Sequence, residues 1–541
     1  MTNMDQAESA SGRSEIFIQG KIKRCIDCFF IGLLFIYLVT LPMLFPPVNL
    51  LSASLFIYCS IFILLVIYSP RLWLWAAIVS ICMLGFVPNL FGIFNKVFID
   101  GSIFSISMIE QIRVSGIKGQ VISLPILGLP PSLLLWWIKE EQICLPKSYM
   151  VIVAFCALMI LSSSIVCLRY MDISLFPPDI NFIIPELLKK THLAKQWWQS
   201  GMPYTLIAFT LTFTFANIIG VLLFAAVFNI INDRKDIGLA FSALTLSTIL
   251  SISYGYAQTK GLVPAFTLGG SLEATFQSQG SYGIFVGISC VFFFNRIFFF
   301  KRRVIMNFVF FVVAVLGIFI NQTRTALFAL IINAFLVYVT YMVFKYKGIE
   351  VMTSARKWIL VTIMVLIGAS FVLLNTSRVG GYIYKNGNHF IRQVVDTVDL
   401  DKSYGAIRHS RLDLWGKCIE IWKEKPVFGC GQGQLYWELK MRGEPDTAAN
   451  QYILILAELG IVGICLFLLI IICAGKDLTR NLFNKEAEPD YAYWLVCTSM
   501  VICILVQSFT VHTFHFPNLP LLIWIIVAMA LASSRIRDCH G

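Results

Sequence analysis

Charged residues are scarce in this sequence, since Asp, Glu, Lys and Arg together make up only 13% of its 541 residues. Soluble domains carry roughly 25% charged residues, and half that share cannot cover the surface of a soluble chain of this length. Hydrophobic residues reach 58%, with 45 Phe among them, and the mean hydropathy is +0.79. This composition excludes a soluble enzyme, a disordered chain and a collagen-like chain, and it predicts that lipid surrounds most of the protein.

Metal-ligand patterns and a cleavable leader are also lacking. Cys25 and Cys28 form a lone C-x-x-C with no second pair, so this spacing does not predict a metal site. His512 and His515 have no acidic residue near them in sequence to act as a third ligand, which favours histidines at the membrane interface. Residues 1–20 are polar and contain no apolar core, so no cleavable signal peptide is expected. We therefore predict neither a metal nor a cofactor.

Acidic residues are outnumbered by basic ones, 30 against 42, which gives a formal net charge of +12. In a membrane protein such an excess is expected from the Lys and Arg residues of cytoplasmic loops. The same excess suits anionic lipid headgroups or an anionic substrate. We therefore predict membrane lipid as a partner and no nucleic acid.

Long apolar runs dominate the chain. A membrane-spanning helix needs about 20 mostly apolar residues, and the weakest candidate run, 121–138, is interrupted by Pro125, Pro130 and Pro131. The sequence predicts an all-α polytopic membrane protein, a bundle of about 12–14 transmembrane helices with one large periplasmic loop. The other runs are 26–45, 50–68, 72–92, 149–167, 204–230, 238–256, 281–299, 304–321, 325–344, 358–374, 451–474, 491–511 and 519–533.

Lys and Arg cluster in the short connections, and their positions predict the orientation. If the N-terminus is cytoplasmic, counting 14 spans places every short basic connection and the C-terminus in the cytoplasm as well. This predicts a multi-pass protein of the bacterial inner membrane with a long periplasmic segment, and loops of that length are uncommon unless functional. The predicted divisions are a cytoplasmic tail at 1–25, a transmembrane bundle at 26–374, the periplasmic loop at 375–450, C-terminal transmembrane helices at 451–533 and a cytoplasmic tail at 534–541.

The periplasmic loop contains an amphipathic helical pattern. Leu412, Trp415, Ile419 and Trp422 recur at helical spacing among basic residues, and Pro426 ends the pattern. A basic amphipathic helix with Trp anchors is typical of a helix that lies in the membrane interface. A helix that caps the bundle without binding anything is the alternative.

A glycine-rich stretch follows this helix. In Gly429-Cys430-Gly431-Gln432-Gly433-Gln434, alternate glycines permit left-handed backbone and close approach, as a phosphate-binding turn would need. The stretch follows no strand and matches neither dinucleotide nor P-loop spacing. Cys418 and Cys430 could pair if the loop faces an oxidising periplasm.

Polar residues mark the outer ends of several spans. Arg324 opens the run 325–344, where free N–H groups and the positive helix end favour an anion; a side chain that reaches for headgroups is the alternative. The polar approach at 276–280 could line the same cavity. Asp446 or Thr447 is a plausible N-cap for the run 451–474. Within that run, the carboxylate of Glu458 either pairs with a structural partner such as an Arg or forms part of a site.

These pieces occur in the order of a known family. They are an outward Arg at a helix start, R-x-x-x-W from Arg411, K-P-x-x-G-x-G-x-G from Lys425, and N-x-Y-x-x-x-x-x-E-x-G-x-x-G from Asn450. The region 270–470 resembles the O-antigen ligase superfamily, which includes lipopolysaccharide O-antigen ligases, Wzy-type polymerases and pilin-type protein O-oligosaccharyltransferases.

The resemblance implies a metal-independent membrane glycosyltransferase. Such enzymes transfer a glycan from undecaprenyl diphosphate to a hydroxyl of an acceptor, which is a growing glycan, lipid A-core or a pilin-like protein. By position, Arg324 and Arg411 match the arginines that hold the diphosphate, a role that suits guanidinium groups because they bind phosphate oxygens in pairs. The predicted substrate-binding residues are Arg408, His409, Gln434, Asn450, Tyr452 and Glu458.

One family feature is missing. Ligases and protein-transferring members have a His directly before the motif Asn, where this chain has Ala449. We predict Asp446 as the catalytic replacement, with His409 and the histidines of the last outer turn as alternatives. The missing His favours a Wzy-like polymerase, although Gly-Gln-Leu-Tyr-Trp at 433–437 resembles protein-transferring members. A glycan or lipid transporter without catalysis is the alternative from another class.

Overall fold

The computed structural model of the protein describes a helical chain in several stretches. Every regular element among the described residues is an α-helix, and no strand occurs among them. The described stretches are 49–83, 124–140, 143–170, 203–260, 262, 274–276, 279–300, 302–321, 324–346, 353–354, 356–363, 365, 412–442, 450–480, 491–511, 513–514 and 518–535.

Twelve of the predicted apolar runs lie on helices of the structure. Within the described stretches, at least seven helices are 18 or more residues long and apolar enough to cross a membrane, so the protein is an all-α, multi-pass membrane protein as predicted. The run 26–45 lies outside the described residues, and the run 358–374 is described only at 358–363 and 365. The helices are α1 (Asn49–Tyr68), α2 (Pro70–Met83), α3 (Leu124–Lys139), α4 (Lys147–Tyr170), α5 (Pro203–Ile230), α6 (Arg234–Thr259), α7 (Gln279–Phe299), α8 (Val304–Asn321), α9 (Arg324–Tyr346), α10 (Asp413–Glu424), α11 (Leu435–Met441), α12 (Gln451–Arg480), α13 (Tyr491–Gln507) and α14 (Asn518–Ser533).

The centre of the bundle is α7, which is almost entirely buried. It packs against α8, α9 and α13, and its phenylalanines make edge contacts with α6, such as Phe241 on Phe292 with ring centroids 4.9 Å apart. Helices α4, α8 and α9 are mostly exposed along their apolar faces. An apolar exposed face is expected of helices that meet lipid.

The helix ends sort onto two opposite faces. On one, Arg71 at the start of α2 pairs with Asp236 at the start of α6, with Nε and Oδ1 2.6 Å apart. The backbone N–H of Ser148 donates to Asp477 of α12 (3.1 Å), and Arg535 beyond α14 donates to the carbonyl of Phe228. We call this the basic face, because the described termini and turns there carry many Lys and Arg residues, among them Arg71, Lys139, Lys147, Arg234, Lys235, Arg296, Arg302, Arg303, Lys345, Lys476 and Arg535.

The opposite face, which we call the site face, holds the other helix ends. It comprises the ends of α6, α8 and α13, the starts of α7, α9, α12 and α14, and the segment 412–442, named here the outer segment. The start of α7 and the end of α8 exchange two bonds: Gln279 Nε2 donates to the Asn321 carbonyl (2.9 Å), and Asn321 Nδ2 donates to the Gln279 carbonyl (3.2 Å). Arg324 therefore begins α9 next to a fixed pair of helix ends.

Candidate functional site

Helix α12 is broken in its outer half. Gly460 has φ 67° and ψ −163°, so two helical pieces meet at this residue without continuous hydrogen bonding. In an unbroken helix, the N–H groups of Ile461 and Val462 would donate to the carbonyls of Ala457 and Glu458. A helix break in a membrane protein must satisfy such groups by other means, because lipid supplies no partner.

The loop of residues 425–434, named here the glycine loop, supplies all four missing partners. The N–H of Ile461 donates to the Pro426 carbonyl (2.9 Å), and the N–H of Val462 donates to Val427 (3.3 Å). In the other direction, the N–H groups of Cys430 and Gly431 donate to the carbonyls of Ala457 and Glu458, each at 2.9 Å. The loop thus replaces two helical hydrogen bonds with four bonds across the break.

Two glycines allow the backbones to come this close. Gly429 has φ 68°, and a Cβ on it would overlap the carbonyl group of Glu458. Gly460 also has positive φ, and a Cβ on it would overlap the carbonyl of Val427. Only glycine adopts this backbone region readily and leaves room for a second chain. The glycine pair 429/460 is therefore a packing requirement of the fold.

The tip of the glycine loop reaches α4 and α5. The N–H of Gln432 donates to Ser162 Oγ (2.9 Å), and Thr210 Oγ1 donates to the Gln432 carbonyl (2.9 Å). Ser162 lies eight residues before the end of α4, which places it about 12 Å below that end at about 1.5 Å per residue. The loop is therefore re-entrant, and its irregular backbone is tolerated there because protein surrounds it.

Most N–H groups of the glycine loop bond within the protein. Those of Cys430, Gly431 and Gln432 bond as described above, while Gly429 donates to the Lys425 carbonyl (2.9 Å) and Gln434 donates to Gly431 (3.1 Å). A phosphate-binding turn needs free donors that converge on the anion. These bonds argue against a phosphate-binding turn, and the loop instead supplies the hydrogen-bond partners that are missing at the break in α12.

The predicted amphipathic helix is present as α10, but it buries a different stripe. Leu414, Cys418 and Ile421 are its buried residues, in one cluster with Leu435, Leu439, Leu454 and Ala457. The predicted stripe of Leu412, Trp415, Ile419 and Trp422 is exposed or half-buried along the edge of this face. The apolar arc of α10 is thus wide: its centre packs on α11 and α12, and its Trp-bearing edge faces outward.

Helices α10 and α11 are joined by two ion pairs. Arg442 binds Glu424 at 2.6 Å and Lys425 lies 3.5 Å from Glu438. Both pairs are partly exposed, so each contributes little stability by itself. Together with the apolar cluster they hold the outer segment as one unit.

Cys418 and Cys430 share the apolar cluster as free thiols, so the predicted disulfide is not formed in this structure. Burial raises the pKa of the Cys418 thiol to about 12, and the negative charge of Glu458 raises it further. The same two causes hold the pKa of the Cys430 thiol well above its usual value. Both thiols are therefore neutral and unreactive while the cluster is closed.

Glu458 lies two residues before the break and is only 2% exposed. Its Oε1 accepts a long hydrogen bond, 3.4 Å, from the N–H of Leu435, the first residue of α11. A carboxylate suits this position because it satisfies a free N–H at the positive end of a helix. Gln434, another predicted substrate-binding residue, is buried beneath the same turn, and its Nε2 has no hydrogen-bond partner among the described residues.

The N-x-Y motif fixes the outer start of α12. Asn450 Oδ1 accepts from the N–H groups of Tyr452 (2.9 Å) and Ile453 (3.1 Å), so Asn450 is the N-cap, and the prediction of Asp446 or Thr447 in that role is wrong. Tyr452 OH donates to the Leu505 carbonyl of α13 at 3.0 Å. The backbone of Gln451 is also held: its N–H donates to Ser508 at 2.8 Å. The motif therefore docks α12 onto the turn that follows α13.

Residues 274–276, which precede α7, turn inward. Thr275 Oγ1 and Ser251 Oγ of α6 are 2.7 Å apart, and the ring of Phe276 is buried against Phe285. The predicted polar approach at 276–280 therefore contributes chiefly the Gln279 pairing with α8.

The remaining predicted site residues are only partly placed. Helix α9 begins at Arg324 on the site face, as expected from the sequence, and α10 begins two residues after Arg411. No group of three His, Cys, Asp or Glu side chains within the described stretches could hold a metal ion. Arg408, His409, Arg411, Asp446, His512 and His515 lie outside the described residues.

Residues 309–468 match the family model described as O-Antigen ligase. This segment belongs to the O-antigen ligase superfamily. The match covers less than a third of the chain, yet it includes α9, the outer segment and the break in α12. It confirms the resemblance given by the motifs, and superfamily members are glycosyltransferase-like enzymes that act on glycans and lipid-linked substrates. No curated protein matches the chain.

Proposed function

We propose that the protein is a membrane glycosyltransferase that transfers or polymerises glycan from an undecaprenyl-diphosphate donor on the periplasmic face. The observation that carries the proposal is the O-antigen ligase match, which contains both predicted diphosphate arginines and includes the starts of α9 and α12 on the site face. Lipid-linked donors lie in the membrane, and a multi-pass bundle presents its site at the depth of their diphosphate.

Arg324 and Arg411 are the proposed diphosphate clamp. Arg324 is the first residue of α9, where free backbone N–H groups and the helix dipole add to the charge of its side chain. Arg411 stands just before α10 of the outer segment. Two guanidinium groups would hold the diphosphate and stabilise the charge that develops on it as the glycan leaves.

The orientation follows from the basic face. The Lys and Arg residues at its helix ends predict that this face is cytoplasmic and the site face periplasmic. In spheroplasts, a membrane-impermeant maleimide should label Lys423→Cys in the outer segment at once, but the native, exposed Cys144 near the basic face only after permeabilisation. The reverse labelling order would refute a periplasmic site.

The acceptor distinguishes the members of the superfamily. Because Ala449 stands where ligases and protein-transferring members have a His, we favour a Wzy-like polymerase, with O-antigen ligation to lipid A-core and transfer to a pilin-like protein as alternatives. Glycan length in a deletion strain decides between them. Loss of long chains while single units stay attached indicates a polymerase, whereas loss of all attached glycan indicates a ligase or protein transferase. Unchanged glycan would contradict all three.

Asp446 is the proposed proton acceptor for the attacking hydroxyl. Its competing role as an N-cap is removed, since Asn450 caps α12. General-base catalysis commonly contributes about 10²–10⁴-fold in rate, so Asp446→Asn should reduce polymer yield by that order at normal protein level. Wild-type polymer length and yield in Asp446→Asn would leave His409, His512, His515 or water as the acceptor.

Transport without catalysis remains the alternative from another class, since broken helices are typical of transporters. In those proteins the half-helix ends point at substrate and ions. Here the carbonyls of Ala457 and Glu458 and the N–H groups of Ile461 and Val462 are occupied by the glycine loop. The break therefore favours a structural role over an ion site. In membranes that contain donor and acceptor on the site face only, glycosyl transfer would exclude pure transport.

A further inference from the structure

Seven hydrogen bonds and an apolar cluster attach the outer segment to the bundle, and Glu458 takes part in two of these bonds. Its backbone carbonyl accepts from the N–H of Gly431 (2.9 Å), and its carboxylate accepts from the N–H of Leu435 (3.4 Å). The residue thus holds both ends of the turn between the glycine loop and α11. The side chain is buried, so water cannot readily replace it as the partner of Leu435.

From α11 the connection continues to α10. The ion pairs Arg442–Glu424 and Lys425–Glu438 join the two helices, and their facing apolar residues form the cluster around Cys418. Cys418 and Cys430 flank Glu458 closely enough for its charge to act on both thiols. Helix α10 starts at Asp413, two residues after Arg411, so its position determines where that part of the chain leaves the bundle.

We propose that Glu458 is a positioning residue. It touches no substrate, but its carboxylate fixes α11, and through α11 the start of α10 beside Arg411, onto the broken helix. The proposal rests on the proposed function for its consequence, which is the placement of an arginine of the diphosphate clamp. It differs from the substrate-binding role predicted for Glu458, and it is supported by the burial of this side chain beneath the turn at 431–435.

The test compares Glu458→Ala with Glu458→Gln. The Gln amide oxygen can still accept from the N–H of Leu435, whereas Ala leaves this buried donor without a partner. Loss of a hydrogen bond to a charged group should shift the opening equilibrium of the cluster about tenfold or more. We therefore expect Ala to open the outer segment and Gln to restore its closure to within about threefold of wild type.

Two measurements report whether the outer segment opens. In native membranes, N-ethylmaleimide with peptide-resolved mass spectrometry should modify Cys418 and Cys430 at least about tenfold faster in Glu458→Ala, since both thiols are buried in the closed cluster. Cys497, fully buried in α13, should stay protected in every variant and so exclude global unfolding. Polymer yield in a complemented deletion strain should fall about tenfold in Glu458→Ala and recover in Glu458→Gln. Glu420→Ala, which removes an exposed acid of α10, is the matched control.

Other combinations of thiol labelling and polymer yield would contradict the proposals. If Glu458→Gln loses yield as Glu458→Ala does, while the thiols stay protected, the carboxylate acts directly in the reaction and the positioning role is refuted. Unchanged thiol protection in Glu458→Ala refutes it as well. If the wild-type gene does not restore glycan to the deletion strain, the proposed transferase function fails, whereas the thiol pattern still decides whether Glu458 holds the outer segment.

Discussion

Gly460→Ala is expected to prevent the protein from reaching its folded state in the membrane. The added Cβ would overlap the Val427 carbonyl, which accepts from Val462 across the break. The positive-φ, extended backbone of Gly460 is essentially restricted to glycine and costs another residue about 1–3 kcal/mol, and each backbone group left unsatisfied without water costs several more. If α12 straightened instead, the glycine loop would lose its bonds to Ala457 and Glu458. Neither outcome leaves the outer segment in place.

The measurement is the amount and thermal stability of detergent-extracted protein. Gly460→Ala should lose most of its folded fraction, and Gly429→Ala, whose Cβ would meet the Glu458 carbonyl, should behave alike. Gly475 of α12 and Gly416 of α10 are the matched controls, because nothing lies within 4 Å of an added Cβ at either position. Their Ala variants should be neutral or stabilised by up to about 1 kcal/mol. Wild-type melting of Gly460→Ala would mean that the break is not required.

The helices could be predicted from the sequence because the lipid environment restricts which segments can cross the membrane. A segment in the membrane must bury its own backbone bonds and face hydrocarbon, so length and apolar composition mark it clearly. Even 121–138, with its prolines, proved helical over Leu124–Lys139. Helix α7, however, has a composition similar to that of the other helices. Its burial at the centre results from the packing of α8, α9 and α13 around it, and no local sequence pattern predicts this packing.

The sequence predicted which residues belong to the candidate site, but it did not predict their structural roles. Gly429, Gly460 and Glu458 all stood in motifs, yet their pairing joins residues about thirty positions apart and depends on a break that helical periodicity hides. Ser162 and Thr210, which hold the loop tip, had one weak signal: they are hydroxyl residues within apolar runs. On α10, apolar residues cover a wider arc than one stripe, so spacing alone could not decide which part is buried.

The position of the N-cap illustrates a different limit. Asp446, Thr447 and Asn450 are all good capping residues, and intrinsic preference scarcely separates them. Tertiary contacts determine which residue is the N-cap. Gln451 and Tyr452 form hydrogen bonds to the end of α13, and these bonds fix the first turn of α12 directly after Asn450. Residues expected to bind substrate by family resemblance can thus also carry the docking of a helix.

Arg324→Ala and Arg411→Ala are expected to reduce glycan transfer at least about 10²–10³-fold each, the usual cost of removing one group that stabilises charge in a transition state. The protein level should stay normal. Arg302→Ala is the matched control, since Arg302 is exposed on the basic face. Polymer yield in the complemented deletion strain, normalised to the amount of protein in the membrane, is the measurement.

Substitution by Lys separates charge from geometry. Lys presents a single point charge, whereas the planar guanidinium donates two parallel bonds to phosphate oxygens, so Lys should rescue either site poorly. In the proposed clamp Arg324 has additional help, because a diphosphate held at the start of α9 would also meet the first N–H groups of that helix, which would keep part of the binding when the fork is lost. Arg411 has no described helix start at its own position, so Arg411→Lys should be the weaker of the two Lys variants. Full transfer by Arg411→Lys would assign that residue to charge or packing and leave Arg324 as the sole specific contact of the proposed clamp.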